Sequence, residues 1–195
     1  MTPRRALTIA GVAIVALFVG ALMYWRLPGW TSRATSRATT RASAAPSPTA
    51  PAPPGRKIKA RLFYVAEDGM RLTSVERDIA YGEGTVEQAR EIVAAQIAPV
   101  VEPLVSAVPP GTALRAVFLT EGGEAYVDLS REVSAAHRGG SLDELLTVYT
   151  IVDALTTNLP AVTAVQLLVD GRQVDTLAGH VDLRRPLTKN LAWVQ

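Results

Sequence analysis

The stretch that decides the fold is residues 125–187, AYVDLSREVSAAHRGGSLDELLTVYTIVDALTTNLPAVTAVQLLVDGRQVDTLAGHVDLRRPL. It opens with a short apolar segment, Ala125 to Leu129, whose length and composition are typical of a β-strand. A second apolar segment, Val165 to Val169, precedes Asp170-Gly171, a pair that favours a type I′ hairpin turn. We therefore predict a strand, a helix and a β-hairpin, with Arg172 to Leu177 as the second hairpin strand.

The long helix of this stretch has a recognisable start and end. Ser141-x-x-Glu144 matches a capping box, in which the two side chains satisfy free backbone N–H groups at a helix N-terminus. Pro160 sets the end, because proline cannot continue a helix. Apolar residues at helical spacing predict one buried stripe, formed by Leu142, Leu145, Tyr149, Val152 and Leu155.

Upstream of this stretch the pattern changes to paired strands. From Lys57 to Ala66 apolar and basic residues alternate, which indicates a half-buried strand. A turn at Glu67-Asp68-Gly69 leads into a second strand, Leu72 to Ala80. A third strand, Leu114 to Thr120, is joined to Ala125 by Glu121-Gly122-Gly123-Glu124, a hairpin signal.

A first helix is predicted between the second and third strands. Thr85-x-x-Gln88 matches a capping box, and Pro99 should end or bend the helix. Its predicted buried stripe is Val86, Ala89, Val93 and Ile97.

The order β-β-α-β-β-α-β-β predicts an α/β protein of the α+β type. We expect a mixed, mostly antiparallel sheet with two helices on one face. Its centre would be a βαββαβ unit, similar to a ring-building motif, with extra edge strands.

The domain resembles the GerMN family over about Lys57 to Leu187. The residues that carry the resemblance are Val127-Asp128-Leu129-Ser130, Gly140-Ser141 with Glu144, Val148-Tyr149-x-Ile151-Val152, Leu155-Thr156-x-Asn158, Val165-x-x-Leu168 with Asp170-Gly171, and Leu177-x-Gly179-His180-Val181-Asp182. The resemblance implies an extracytoplasmic domain held by a membrane or lipid anchor and linked to sporulation and germination. Some members resemble modules that build rings. This chain departs from several members by having one copy of the domain and an N-terminal helix instead of a lipid anchor.

The N-terminal part predicts a membrane anchor. No residue from Leu7 to Tyr24 is charged, and these eighteen residues would form about 27 Å of helix, close to the thickness of a bilayer core. We assign residues 1–6 to the cytoplasm and residues 7–25 to a single-pass signal-anchor helix, with the C-terminal domain periplasmic or extracellular. Cleavage as a signal peptide near residues 19–21 is the alternative. The Lys/Arg count around the helix favours the opposite orientation.

Composition separates a linker from a domain at about residue 55. Residues 26–55 are rich in Thr, Ser, Ala and Pro and cannot bury enough apolar surface to fold, so we predict a disordered linker. Residues 56–190 are assigned to the GerMN-like domain. The first 55 residues carry a net charge of +6 and the remainder −4, so the basic balance of the chain does not indicate nucleic-acid binding by the domain.

The residues with catalytic chemistry lack the spacing of a known site. His137, His180, Ser130, Ser141 and Asp182 supply the residue types of a hydrolytic triad, but no G-x-S-x-G motif is present. The chain has two histidines and no cysteine, so a zinc site would need carboxylates at unsupported spacing. We predict no catalytic residues, no metal and no cofactor.

Four residues remain as candidates for an interaction site: His137, Ser141, Glu144 and His180. The glycine-rich loop before Ser141 could bind an anion at the helix N-terminus, or it could simply turn the chain while Ser141 and Glu144 cap the helix. His180 follows Gly179, and we expect it at a turn with a hydrogen bond to backbone.

Three classes of function stay open. The favoured one is a non-enzymatic module for protein assembly, whose partners would be envelope proteins or further copies of itself. A module that binds cell-wall peptidoglycan is the alternative and predicts a groove lined by exposed aromatic residues. A hydrolase, the third class, predicts a serine or acid pair beside a histidine.

Overall fold

The computed structural model of the protein describes residues 55–195. These residues form seven strands, three α-helices and a terminal 3₁₀ turn: β1 (Lys57–Val65), β2 (Leu72–Ala80), α1 (Gly84–Ile97), β3 (Leu114–Leu119), β4 (Glu124–Leu129), α2 (Glu132–Ala135), α3 (Ser141–Asn158), β5 (Ala164–Val169), β6 (Arg172–Gln173), β7 (Leu187–Thr188) and a 3₁₀ turn (Leu191–Trp193). The predicted anchor helix at residues 7–25 and most of the predicted linker lie outside this range. No helix within residues 55–195 is both long and apolar enough to cross a membrane.

The strands form two sheets. β1 and β2 pair antiparallel over their full length, from Lys57 opposite Ala80 to Val65 opposite Leu72. The second sheet has the order β3-β4-β5-β6, and β7 also pairs with β5. Its β4–β5 pair is parallel, whereas the other pairs are antiparallel. The predicted α+β class and mixed sheet are confirmed.

The separate β1–β2 hairpin is a detail that the predicted order did not contain. The prediction placed the strand Leu72–Ala80 in a βαββαβ unit, but this strand pairs only with β1 among the named strands. A short turn joins β1 and β2, and such a turn favours antiparallel pairing of the strands it connects. Helices α1 and α3 contact both the hairpin and the larger sheet and therefore lie between them.

This position explains why α3 is buried around almost its whole circumference. The predicted stripe is only partly correct: Val152 and Leu155 are fully buried, but Leu142, Leu145 and Tyr149 are half-buried. A helix that contacts layers on two sides needs apolar residues on more than one face. The remaining large buried residues of α3 are Leu146, Val148 and Ile151.

Helix α1 also differs from its predicted stripe. Ala89 and Val93 are buried as expected, but Val86 is exposed and Gln96 is buried. The Gln96 side chain accepts a hydrogen bond from Phe63 N–H at 2.8 Å and donates one to the Phe63 carbonyl at 2.7 Å. The polar residue therefore belongs to the interior because it satisfies backbone groups of β1.

Both predicted capping boxes are wrong. The N-cap positions are Glu83 in α1 and Gly140 in α3, and neither donates or accepts a side-chain capping bond. In α1, Gln88 instead accepts a hydrogen bond from Gly82 N–H at 3.0 Å. In α3, the Glu144 carboxylate points away from the cap. The reason is that the Gln88 and Glu144 side chains are both buried and form hydrogen bonds with neighbouring loops instead.

The hairpin after β5 is confirmed at its turn and shorter than predicted. Asp170 and Gly171 have φ values of 49° and 75°, as a type I′ turn requires. The second strand was predicted to reach Leu177 but ends at Gln173. Further along the same edge of β5, Ala164 and Val165 pair with β7, and Leu177 N–H donates to a side-chain carboxylate.

Candidate functional site

The first part of the candidate site is a buried carboxylate that holds a loop. Glu144 lies in the first turn of α3 and is fully buried. Its two oxygens accept hydrogen bonds from Leu177 N–H at 2.7 Å and from His180 N–H at 2.8 Å. The His180 ring lies beside the same carboxylate, with Nδ1 3.2 Å from Oε2. The loop from residue 177 to residue 181 is thereby fastened to the helix.

The electrostatics of Glu144 fit this fastening role. Burial alone would raise the pKa of the carboxyl, because it removes water from the charged form. Backbone N–H groups of the loop outweigh burial, and the pKa lies below its ordinary value; these groups come from Ala178, His180, Leu177 and Val181. The carboxylate is ionised at neutral pH and its oxygens are occupied, so it is poorly placed to move protons.

The loop itself has a conformation that suits this contact. Gly179 has a φ of 99°, in a region that other residues rarely adopt. The turn it makes brings Leu177 N–H and His180 N–H toward the same carboxylate. His180 was expected to bond to backbone; its ring instead meets Glu144, while its side chain remains 43% exposed.

His137 occupies a second, separate place. It lines a cleft of about 280 Å³ between α3 and the segment before β3. Gly139 N–H donates to His137 Nδ1 at 3.0 Å, which leaves Nε2 to donate to Thr147 Oγ1 at 3.2 Å. The Thr147 hydroxyl in turn donates to the Ala107 carbonyl at 2.6 Å. Both ring nitrogens of His137 are therefore engaged within the fold.

The cleft beside His137 is mostly apolar. Its apolar walls come from Val65, Val105, Ala107, Val108, Pro109, Pro110, Ala136 and Leu146. Arg138 and Asp143 bring opposite charges to the same lining. The cleft can accept an apolar group, but it presents no nucleophile beside a free base.

The residues of the possible triad do not converge. Ser130 Oγ accepts a hydrogen bond from Ala113 N–H at 3.0 Å, and Asp182 forms a 2.8 Å ion pair with Arg184. Ser141 is exposed at the start of α3. Of the four candidate residues, only Glu144 and His180 are hydrogen-bonded to each other; His137 bonds to Gly139 and Thr147 instead.

Asp153 is a residue that the sequence analysis missed. It is fully buried in α3, and one oxygen accepts a hydrogen bond from Asn190 N–H at 2.9 Å. The other oxygen, Oδ2, has no hydrogen-bond partner among the described residues. Burial raises the pKa of Asp153, and the Asn190 N–H and the nearby Lys189 charge only partly oppose it. A charged residue inside the apolar run 151–155 was the available signal.

No group of three or more histidine or carboxylate side chains within residues 55–195 is arranged to hold a metal ion. The chemistry visible in this part of the chain is hydrogen bonding between buried carboxylates and loop backbone. That arrangement holds the backbone at Leu177, His180 and Asn190 against α3.

Comparison with known families identifies the class of the domain. The sequence profile of the Germane family, described as "Sporulation and spore germination", matches residues 61–175, which is more than half of the chain. The chain belongs to this family. The description names a cellular process and no reaction.

The chain is similar to several solved structures, and the match with a TM-score above 0.5 shows the shared fold. The tandem GerMN domains of the sporulation protein GerM from Bacillus subtilis match with a TM-score of 0.51 and 16% identity, over 70% of this chain and 46% of that one. The first GerMN domain of the same protein matches with a TM-score of 0.48 and 19% identity, over 67% and 97% of the two chains. A candidate lipoprotein from Clostridium perfringens matches with a TM-score of 0.49 and 23% identity, over 68% and 88%. No curated protein sequence matches the chain.

Proposed function

We propose that the protein is a membrane-tethered, extracytoplasmic module that acts by contact in the assembly of envelope proteins, in a process of the sporulation or germination type. It catalyses no reaction. Its partners are other envelope proteins or further copies of itself.

The observation that carries the proposal is that Glu144 and His137 are engaged in hydrogen bonds within the fold. Glu144 holds the backbone of one loop, and both nitrogens of His137 are engaged by Gly139 and Thr147. A catalytic base needs a lone pair directed at a substrate, and a catalytic acid needs a proton that it can release. Side chains that are occupied inside the fold instead stabilise a surface of fixed shape, which is what a contact module needs.

The N-terminal region supports the same proposal. The predicted linker of about thirty residues would extend to at most about 100 Å and would more commonly span about a third of that. Such a tether keeps the domain near the membrane and raises its local concentration toward partners in the same layer. A diffusing enzyme gains little from this arrangement.

Complementation of a deletion strain tests the proposal. We expect His137→Ala and His180→Ala, each shown to be folded by circular dichroism, to restore the wild-type phenotype. We expect a chain that lacks residues 1–55, exported by a cleavable leader, to fail. If a folded histidine variant behaves like the deletion while the released domain works, the protein acts as an enzyme and the proposal is wrong.

The orientation of the domain can be tested separately. We expect protease added to intact spheroplasts to digest the domain and leave a short membrane fragment. Full protection of the domain would place it in the cytoplasm, as the Lys/Arg count on either side of residues 7–25 favours.

One observation favours binding of wall glycan as a second candidate. Phe118 is 58% exposed and lies opposite the half-buried Tyr126 in the β3–β4 pair. Adjacent aromatic rings can stack on sugar rings. Co-sedimentation of the protein with purified peptidoglycan, compared between wild type and Phe118→Ala, tests this candidate: equal sedimentation of the two excludes this surface as the glycan site.

A further inference from the structure

We infer that the free edge of β3 pairs antiparallel with β3 of a second copy of this chain and joins two sheets into one. The inference rests on the proposed function, since it names a surface and a partner for the assembly module. Exposed strand edges pair readily with other strands, and proteins usually protect the edges that must remain single.

The edges of β1, β2 and β5 are protected. The free edge of β1 is occupied by side chains and loop: Asn158 both donates to and accepts from Arg61 backbone, Gln96 does the same for Phe63, and Val65 N–H donates to Val105. Two side-chain amides thus take the place of a neighbouring strand at Arg61 and Phe63.

The edges of β2 and β5 are also closed. Gln195 N–H donates to the Leu72 carbonyl at the start of β2, and β2 then carries three consecutive exposed charged residues, Glu76 to Asp78. Charged residues oppose edge-to-edge pairing. The outer edge of β5 is shared by β6 and β7, and the Gln166 side chain between them donates to the Leu183 carbonyl at 2.6 Å.

Helix α1 packs against β3, but among residues 55–195 no further strand, amide side chain or loop backbone is hydrogen-bonded to the free edge of β3. Within residues 55–195 β3 pairs only with β4. Its sequence, Leu114 to Leu119, is apolar except for Arg115, and Arg115 is already engaged by Asp128 at 3.1 Å and Asp170 at 3.2 Å. Because this charge is neutralised within the chain, two copies can approach without repulsion between their arginines. Phe118 remains the most exposed aromatic side chain in the domain.

The pairing of β3 with β4 fixes how a second strand would fit. Thr120 N–H donates to the Glu124 carbonyl, so the backbone groups of successive β3 residues point alternately to β4 and to the free edge. Val117 and Leu119 then direct their N–H and C=O groups outward. A two-fold axis at Val117 places Phe118 beside the partner's Ala116 on the open face of the sheet. By symmetry, Phe118 of each copy covers Ala116 of the other copy, so the two strands are self-complementary in this register.

Disulfide crosslinking tests this register directly, because the chain contains no cysteine. Two full-length variants, Ala116→Cys and Phe118→Cys, carry different tags and are expressed together. Opposite residues in an antiparallel pair have Cα atoms about 4.5–5.5 Å apart, within the range of about 4.4–6.8 Å that disulfides span, whereas diagonal neighbours are about 7–8 Å apart. We expect a mixed disulfide dimer that carries both tags, and little dimer when either variant is expressed alone.

Lys59→Cys, exposed on β1, measures random collision between tethered copies. Mixed crosslinking no stronger than this control overturns the inference, as does equal crosslinking of each variant alone. Adding Phe118→Lys to the Ala116→Cys chain should reduce the crosslink between that chain and the Phe118→Cys chain at least several-fold. Any of these failures leaves the proposed function intact, because that function is tested separately, by the chain that lacks residues 1–55 and by the histidine variants.

Discussion

Helix α3 carries two buried carboxylates that differ in how many of their oxygens accept hydrogen bonds. Glu144 and Asp153 are both fully buried, and each accepts a hydrogen bond from backbone that follows β5. Glu144 uses both of its oxygens in this way, whereas Asp153 uses one and leaves Oδ2 without a partner. Their pKa values move in opposite directions, down for Glu144 and up for Asp153.

The difference shows that burial alone does not decide whether a charge stabilises a fold. The number of N–H groups aimed at the carboxylate decides it, because each hydrogen bond to the charged form offsets part of the lost hydration. Glu144 is therefore an anchor for the 177–181 loop. Asp153 holds the Asn190 backbone but bears a desolvation cost that one hydrogen bond and Lys189 do not cancel.

The largest effect is expected at Glu144. Glu144→Gln keeps the size of the side chain but turns one acceptor oxygen into an NH₂ group that faces a backbone N–H. Leaving a buried donor unsatisfied and losing a charged acceptor should destabilise the protein by about 3 kcal/mol. The change in urea midpoint measures this. Glu87→Gln, on the exposed side of α1 with only a 3.9 Å contact to Arg90, is the matched control and should change little.

A small loss in Glu144→Gln, comparable to that of the control, would contradict the anchor. It would mean that water replaces the carboxylate as the acceptor for the Leu177 and His180 backbone. In that case the different hydrogen bonding of Glu144 and Asp153 would make no difference to the stability of the protein.

Sequence reasoning predicted the outer frame of the fold better than its buried polar contacts. The strands at residues 57–65 and 72–80, the turn at Asp170-Gly171 and the end of α3 before Pro160 depend on local patterns, and these predictions are confirmed. Local patterns are set by backbone geometry within a few residues, so they are visible in a window of sequence.

The role of Glu144 could not be found in the same way. A glutamate three residues after a serine matches a capping box, and the alternative partner lies 33 residues away at Leu177. Which contact forms depends on how the loop after β6 packs against α3, and no local window contains that information. Gln96 and Asn158 were missed for the same reason, since their partners are backbone groups of β1.

The acid dependence of Glu144→Gln gives a second, smaller test. A carboxyl whose folded-state pKa is lowered contributes stability that is present above the unfolded-state pKa of about 4.3 and is lost as pH falls through the folded value. The difference in unfolding free energy between wild type and Glu144→Gln should therefore be constant near neutral pH and shrink in acid. Urea titrations between neutral pH and about pH 3 measure it, and a difference that grows on acidification would contradict the lowered pKa of Glu144.

His180 should matter less than the carboxylate it touches. Its backbone N–H supplies the main contact to Glu144, and a change of side chain leaves that contact in place. The ring is 43% exposed, so its interaction with the carboxylate is screened by water. We expect His180→Ala to cost less than about 1 kcal/mol in the same urea assay. A loss as large as that of Glu144→Gln would show that the ring, and not the backbone, holds the loop.

The smallest expected effect, and the one with the opposite sign, belongs to Asp153. Asp153→Asn keeps an oxygen that can accept from Asn190 N–H and removes the buried negative charge. For a carboxyl with a raised folded-state pKa, the favourable contribution is fully present below the unfolded pKa of about 3.9 and is lost as pH rises through the folded value. Wild type loses more of that contribution as pH rises, whereas Asp153→Asn has no carboxyl to lose it, so at neutral pH the variant should be as stable as wild type or slightly more stable. The advantage should vanish in acid, where wild type is protonated too. A clear loss of stability at neutral pH would show that the ionised carboxylate has a partner that outweighs its burial, and the contrast between the two acids of α3 would then be one of degree and not of sign.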